Sequence, residues 1–301
     1  MTMDQAIGIL ALITLVEMMV SVGLGTSFAD FVAAATDPRL IARAVVANYV
    51  LVPAVTVGLL LLFRAPPMVA VGFLILAVCP GGPYGPPYTA IAKGNASTAA
   101  GLMVILVASS ALLSPALLRL FAGPFAGDQP LTLDVARMSL TLVFGQVLPL
   151  MVGLAISSWR PRLAGRLIVP ARRGAMLLNV AFLALVLTAQ YRIFLQIKAV
   201  SWVGMLTLLI SCALIGWAAG GRDVGGRRAM SLTTAVRNNG VGMVIATGAF
   251  PGTPAVTAAM IYGLVGFLGS LLLALAWGRR GTRPEVSASP PLAPVTVGTG
   301  S

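Results

Sequence analysis

The 301-residue chain contains no histidine. That excludes a Ser–His nucleophile pair and any imidazole metal ligand. It has only two cysteines, Cys79 and Cys212, both inside apolar runs and in neither metal nor redox spacing. They read as small packing residues, and no metal or cofactor is expected. There is no pair of intramembrane aspartates and no G-x-S-x-G segment, which leaves an intramembrane enzyme without its reacting groups. Charged residues are scarce at 9%, against about 25% in soluble proteins. That excludes a soluble globular domain. The net charge of +12 would suit a nucleic acid, but the basic residues lie in short loops between apolar runs, so no such partner is expected. The opening MTMDQ lacks the basic start of a signal peptide, and no cleaved leader is expected.

What the chain does have is apolar length. Hydrophobic residues make up 58%, and the mean hydropathy is +0.97. Apolar runs of about 20 residues recur throughout, which suits helices in a bilayer rather than the short alternating strands of a barrel. The expected fold is an all-α membrane protein with nine spans, near 6–27, 40–63, 68–92, 97–121, 131–158, 173–190, 199–220, 229–250 and 253–278. With the N-terminus outside, fourteen Lys and Arg fall on the inner side and five on the outer. The positive-inside rule then places the C-terminus in the cytoplasm, with the chain in the cell (inner) membrane. Residues 1–278 form the membrane domain, and the Pro/Ser/Gly-rich tail 279–301 is expected to be disordered.

Two spans are irregular. The stretch CPGGPYGPPYTAIAKGN (79–95) packs four prolines and three glycines into residues 80–87. Proline removes an N–H and clashes with the preceding turn, so no continuous helix survives there. A broken backbone at membrane depth needs a protein-lined or wet setting, which points to a transporter binding site; the plainer reading is a helix that ends early in a re-entrant loop. The span 229–250 carries Arg237, Asn238, Asn239, Gly240 and Gly242 in its middle. An arginine there costs at least about 2.5–3.5 kcal/mol on insertion scales unless a cavity receives it or it snorkels to one face. The irregular spans are the third and eighth, so they cross in opposite directions. This suggests an inverted repeat of about 1–121 (lacking one helix) and 131–278, with two crossed discontinuous helices. Arg237, Asn238, Asn239 and Gly240, with Pro83, Tyr84 and Gly85, are the candidate substrate site. Glu17, in the first span, is a candidate charge partner for Arg237 or a proton carrier, or else a neutral carboxyl bonded between helices. Asn48 and Gln146 precede Pro53 and Pro149 and are placed to bond freed carbonyls.

CPGG and AKGN (79–82 and 92–95), with GLGTSFADF (23–31), ANYVLVP (47–53) and RNNG (237–240), resemble the bile acid:sodium symporter family in order along nearly the whole chain. The resemblance implies panel and core domains, two crossed broken helices, and alternating access for organic anions. It also maps ion-site positions onto this chain, and several depart from the family pattern. A serine and an asparagine become Gly85 and Pro86, and a serine and a threonine become Thr98 and Leu102. The glutamate opening the second break becomes Thr233, and the glutamine after it becomes Arg237. Asn48 replaces a glutamine, Asn238 keeps the family's asparagine, and Thr234 and Val236 fill the remaining positions. A lost carboxylate and a gained arginine make sodium coupling doubtful, and they suggest Arg237 as a built-in cation. The expected function is secondary transport of a small organic anion. The alternatives are an exporter like the arsenite permeases, which use a cysteine where Cys79 stands, or a non-transporting sensor on the same fold.

Overall fold

The computed structural model describes residues 3–125, 133–195 and 199–280. The proposed tail lies outside the described residues, apart from its first two positions. Among the described residues every regular element is helical, which is the all-α fold expected. In chain order these are α1 (Met3–Gly25), α2 (Phe28–Ala35), α3 (Pro38–Val45), α4 (Val52–Leu62), α5 (Pro67–Ala77), α6 (Gly85–Ile91), α7 (Ala96–Ala122), α8 (Val135–Leu142), α9 (Leu148–Trp159), α10 (Pro161–Leu195), α11 (Ala199–Ala219), α12 (Val224–Ala235), α13 (Asn239–Ala249) and α14 (Pro254–Arg280). Seven stretches among the described residues are long and apolar enough to cross a membrane: Gln5–Gly25, Pro38–Leu62, Ala96–Phe125, Val135–Trp159, Pro161–Ala189, Val200–Ala219 and Pro254–Arg279. The other two expected spans, 68–92 and 229–250, are each split into two short helices, α5/α6 and α12/α13.

Local chemistry sets the boundaries. Ser27, Asp37, Asn95, Asp134 and Asp223 each cap a helix with a side-chain oxygen on a backbone N–H of the first turn. Pro53 and Pro149 sit at the starts of α4 and α9, and each follows a π-helical turn, Val46–Leu51 and Val143–Val147. A proline can neither donate to the carbonyl behind it nor sit close to it, and one wider turn relieves both problems. The sixth span starts earlier than expected. The basic stretch after Trp159 is not a loop: α10 begins at Pro161 and runs straight through Arg162, Arg166, Arg172 and Arg173, with Pro170 inside it. Arginine is a good helix former, and proline at a first position costs no hydrogen bond.

Glycines let backbones touch where α1 meets α9. A Cβ on Gly23 would run into the Leu150 carbonyl, and one on Gly153 would meet Gly23 Cα at 2.9 Å. The core on either side is aliphatic, with Leu15, Met19, Leu150 and Leu154 almost fully buried. A Gly23→Leu variant has no room without forcing this seam apart, an overpacking cost of about 1–3 kcal/mol. We expect a lower melting temperature in detergent. Gly58→Ala on α4, where nothing lies within 4 Å, should instead be neutral or raise it, because alanine favours helix by about 0.5–1 kcal/mol.

Candidate functional site

The first break occupies residues 78–84, between α5 and α6. Gly81 adopts φ +81°, a conformation that Pro80 and Pro83 on either side cannot take. α6 restarts with Pro86 and Pro87, where missing N–H groups do no harm. Ending α5 inside the protein frees carbonyls that need donors, and they have them. Leu76 O accepts from Arg237 Nε at 3.1 Å, and Ala77 O accepts from Arg237 Nη2. Val78 O accepts from Ser114 Oγ on α7, and Cys79 O accepts from the Asn238 backbone N–H at 2.9 Å.

The second break, residues 236–238, lies against the first. Val236 is extended, and Asn238 caps α13 through its side-chain oxygen, which accepts from Val241 N–H at 3.2 Å. Gly82 presses on this segment so closely that a Cβ would come 2.6 Å from Arg237 O and from Val236 Cγ1. Arg237 is only 4% exposed. Its Nη1 donates to Asn48 Oδ1 at 2.8 Å and to Thr234 O at 3.0 Å. Asn48, itself fully buried, is turned by its own amide, which donates to Ala44 O and Thr234 Oγ1. The guanidinium thus sits where α5 and α12 both end. Each helix C-terminus carries roughly half a negative charge, so the pair matches one cation.

The other expected residues scatter around this point. Gly85 packs on Thr233, with its Cβ position 3.4 Å from Thr233 Oγ1. Thr233 Oγ1 and Asn238 Nδ2 are buried without a hydrogen-bond partner. Asn239 lies over Gly263, and Gly240 lies under Leu15 and Met18 of α1. Pro83, Tyr84 and Pro86 are half-buried. The Tyr84 ring meets Phe267 edge-on at 4.7 Å, next to Val236. Leu102 is buried with Ala44 and Met230. Thr98 is not at the breaks: it lines a surface cleft of about 260 Å³ with Asp30, Asp37 and Ser97. Glu17 is not beside Arg237 either; its carboxylate lies on Gly174 of α10. Gln146 reaches across to Val107 O and Ser110 Oγ on α7 instead of bonding its own helix. Among the described residues no group of three or more His, Cys, Asp or Glu could hold a metal.

Sequence reading missed four contributors. The carbonyls of Leu76 and Ala77 are backbone atoms and carry no residue signature. Ser114 looked like an ordinary small residue of a span. Arg228 falls outside the nine expected spans, yet its Nη1 donates to Ala92 O, just past the end of α6, at 2.7 Å.

Two interrupted helices that meet break to break inside a bundle of apolar helices form the architecture of a membrane transporter. The chain belongs to the Sodium Bile acid symporter family, whose model matches residues 12–216. It is similar to YocS of Bacillus subtilis (strain 168), named an uncharacterized sodium-dependent transporter, with 24% identity over 87% of this chain and 81% of that protein. It is also similar to BASS1 of Arabidopsis thaliana, named a probable chloroplastic sodium/metabolite cotransporter, with 26% identity over 87% of this chain and 65% of that one. The match to BASS2 of Oryza sativa subsp. japonica, similarly named, is 24% over 50% of this chain and 35% of that protein.

If Asn48 holds the guanidinium in place, Asn48→Leu strands a charged donor in a dry site. The expected cost is about 1–3 kcal/mol, read as a lower melting temperature in detergent. An unchanged melting temperature would show that the remaining carbonyls suffice.

Proposed function

We propose that this protein is a secondary transporter that carries a small organic anion by alternating access, with the anion held where the two breaks meet. The observation that supports this most directly is the division of charge at the breaks. The C-terminal ends of α5 and α12 are neutralised by Arg237, while the N-terminal end of α13, capped by the neutral Asn238 side chain, keeps a partial positive charge with no anionic side chain on it in these contacts. Asn238 Nδ2, a buried donor with no protein partner, lies at that same end. A carboxylate satisfies both.

In this reading Asn238, Asn239 and Gly240 face the anion from one side, and Pro83, Tyr84 and Gly85 from the other. Arg237 acts on it through space, because its hydrogen bonds go to protein oxygens. The nine spans, the inverted repeat of 1–121 and 131–278, and an N-outside, C-inside orientation in the cell membrane supply the frame for alternation. The split spans 68–92 and 229–250 each count as one crossing. The names of the relatives, sodium-dependent transporter and sodium/metabolite cotransporter, agree with a metabolite as cargo.

The test is counterflow. Proteoliposomes preloaded with unlabelled mono- or dicarboxylates should accumulate the labelled form of at least one of them. Binding without flux for every anion in the panel would make the protein a sensor on this fold. Asn238→Asp keeps the capping oxygen and replaces the free donor with a negative charge. Uptake of that anion should then fall about tenfold or more, the equivalent of one charge-assisted hydrogen bond.

A further inference from the structure

The oxygens around the Arg237 guanidinium are those a small hard cation would use. Leu76 O and Ala77 O come from the end of α5, Thr234 O from the end of α12, and Asn48 Oδ1 from the π-helical turn. Half-helix C-terminal ends and unwound carbonyls are the usual alkali-ion ligands of interrupted-helix transporters. Here the charge balance is already met, since two helix ends of roughly half a negative charge each face one guanidinium. Sodium does not fit this position while Arg237 stays. It does not fit the neighbouring position either. Among the residues placed there by resemblance, Thr233 Oγ1 is a free oxygen, but Gly85 has no side chain, Pro86 offers none, Leu102 is apolar, and Thr98 faces a surface cleft. Sodium binding through oxygen ligands therefore has no intact site at the breaks.

We propose that Arg237 is a tethered cation that permanently fills an alkali-ion cage, so that this chain binds and carries its substrate without sodium. The proposal takes its meaning from the transporter reading, yet its test uses no organic anion, so the two can fail separately. A tethered charge cannot dissociate on either side of the membrane. No sodium gradient then drives the cycle.

Removing the arginine should reopen the cage. We would purify wild type, Arg237→Gln and the double variant Thr233→Glu/Arg237→Gln in detergent. Each is melted in sodium, potassium and choline chloride at equal ionic strength. Wild-type curves should coincide in all three salts. At least one variant should melt lower in choline and recover roughly 5 °C in sodium at a hundredfold excess over its dissociation constant. A sodium-specific rise in wild type overturns the proposal, and so does a lack of any alkali-ion response in both variants, which is what a purely structural arginine would give. Should the variants fail to survive extraction in choline, recovery becomes the readout. Folded protein in sodium but not in choline supports the cage, and failure in every salt overturns it.

Discussion

A carbonyl that loses its helix partner inside a bilayer must find a donor within the protein, because lipid offers none. Most of what is unusual in this molecule follows from that constraint at one place. Pro80 and Pro83 end α5 at membrane depth, and three successive carbonyls, from Ala77 to Cys79, need donors, while Leu76 O already has the Cys79 N–H. They are met by a guanidinium, a serine hydroxyl from α7 and a backbone N–H from the opposing break. Arg237 is affordable in an apolar span because those carbonyls are there, and the carbonyls are tolerable because Arg237 is there. Each would be a fault alone.

The same device recurs at the other end of α12. Arg228 in its first turns reaches Ala92 O past the end of α6, while Arg237 just beyond its last turn reaches the end of α5. The second interrupted helix thus supplies an arginine to each C-terminal end of the first. Positive charge near a helix C-terminus is favourable anywhere, but it counts for more where water is excluded. Asn48 extends the arrangement by one helix. Its amide oxygen takes an Arg237 donor, and its nitrogen donates to Thr234 Oγ1 and to Ala44 O, tying the π-helical turn to the site.

Much of this was legible in the sequence because the relevant chemistry is local. Proline and glycine in residues 80–87 rule out a continuous helix, and an arginine between apolar turns calls for either a polar interior or a side chain that snorkels to one face. The all-helical class followed from apolar length and scarce charge. The partners of each polar group were not legible. Backbone carbonyls have no letter in the sequence, so the ligands of Arg237 could not be read from it. Glu17 and Arg237 looked like a natural pair, but Glu17 is on the wrong side of α1: it turns toward α10, whereas Leu15 and Met18 meet the second break. Gln146 was expected to repair its own helix, but the π-helical turn before Pro149 carries it across to α7. The charge-rich start of α10 looked like a loop because composition alone does not separate a loop from a solvated helix face.

The contacts around Gly82 have a mechanical side. Its missing side chain lets the two breaks touch backbone to backbone, and Arg237 then passes from one into the carbonyl end of the other. The joint works as a rivet. Pulling α5 away from α12 would cost Arg237 its bonds to Leu76 O and Ala77 O, leave the Ala77 carbonyl without that donor, and keep only the bonds of Nη1 to Asn48 Oδ1 and Thr234 O. Displacement of one interrupted helix is therefore opposed by the other, and the two are joined as one unit.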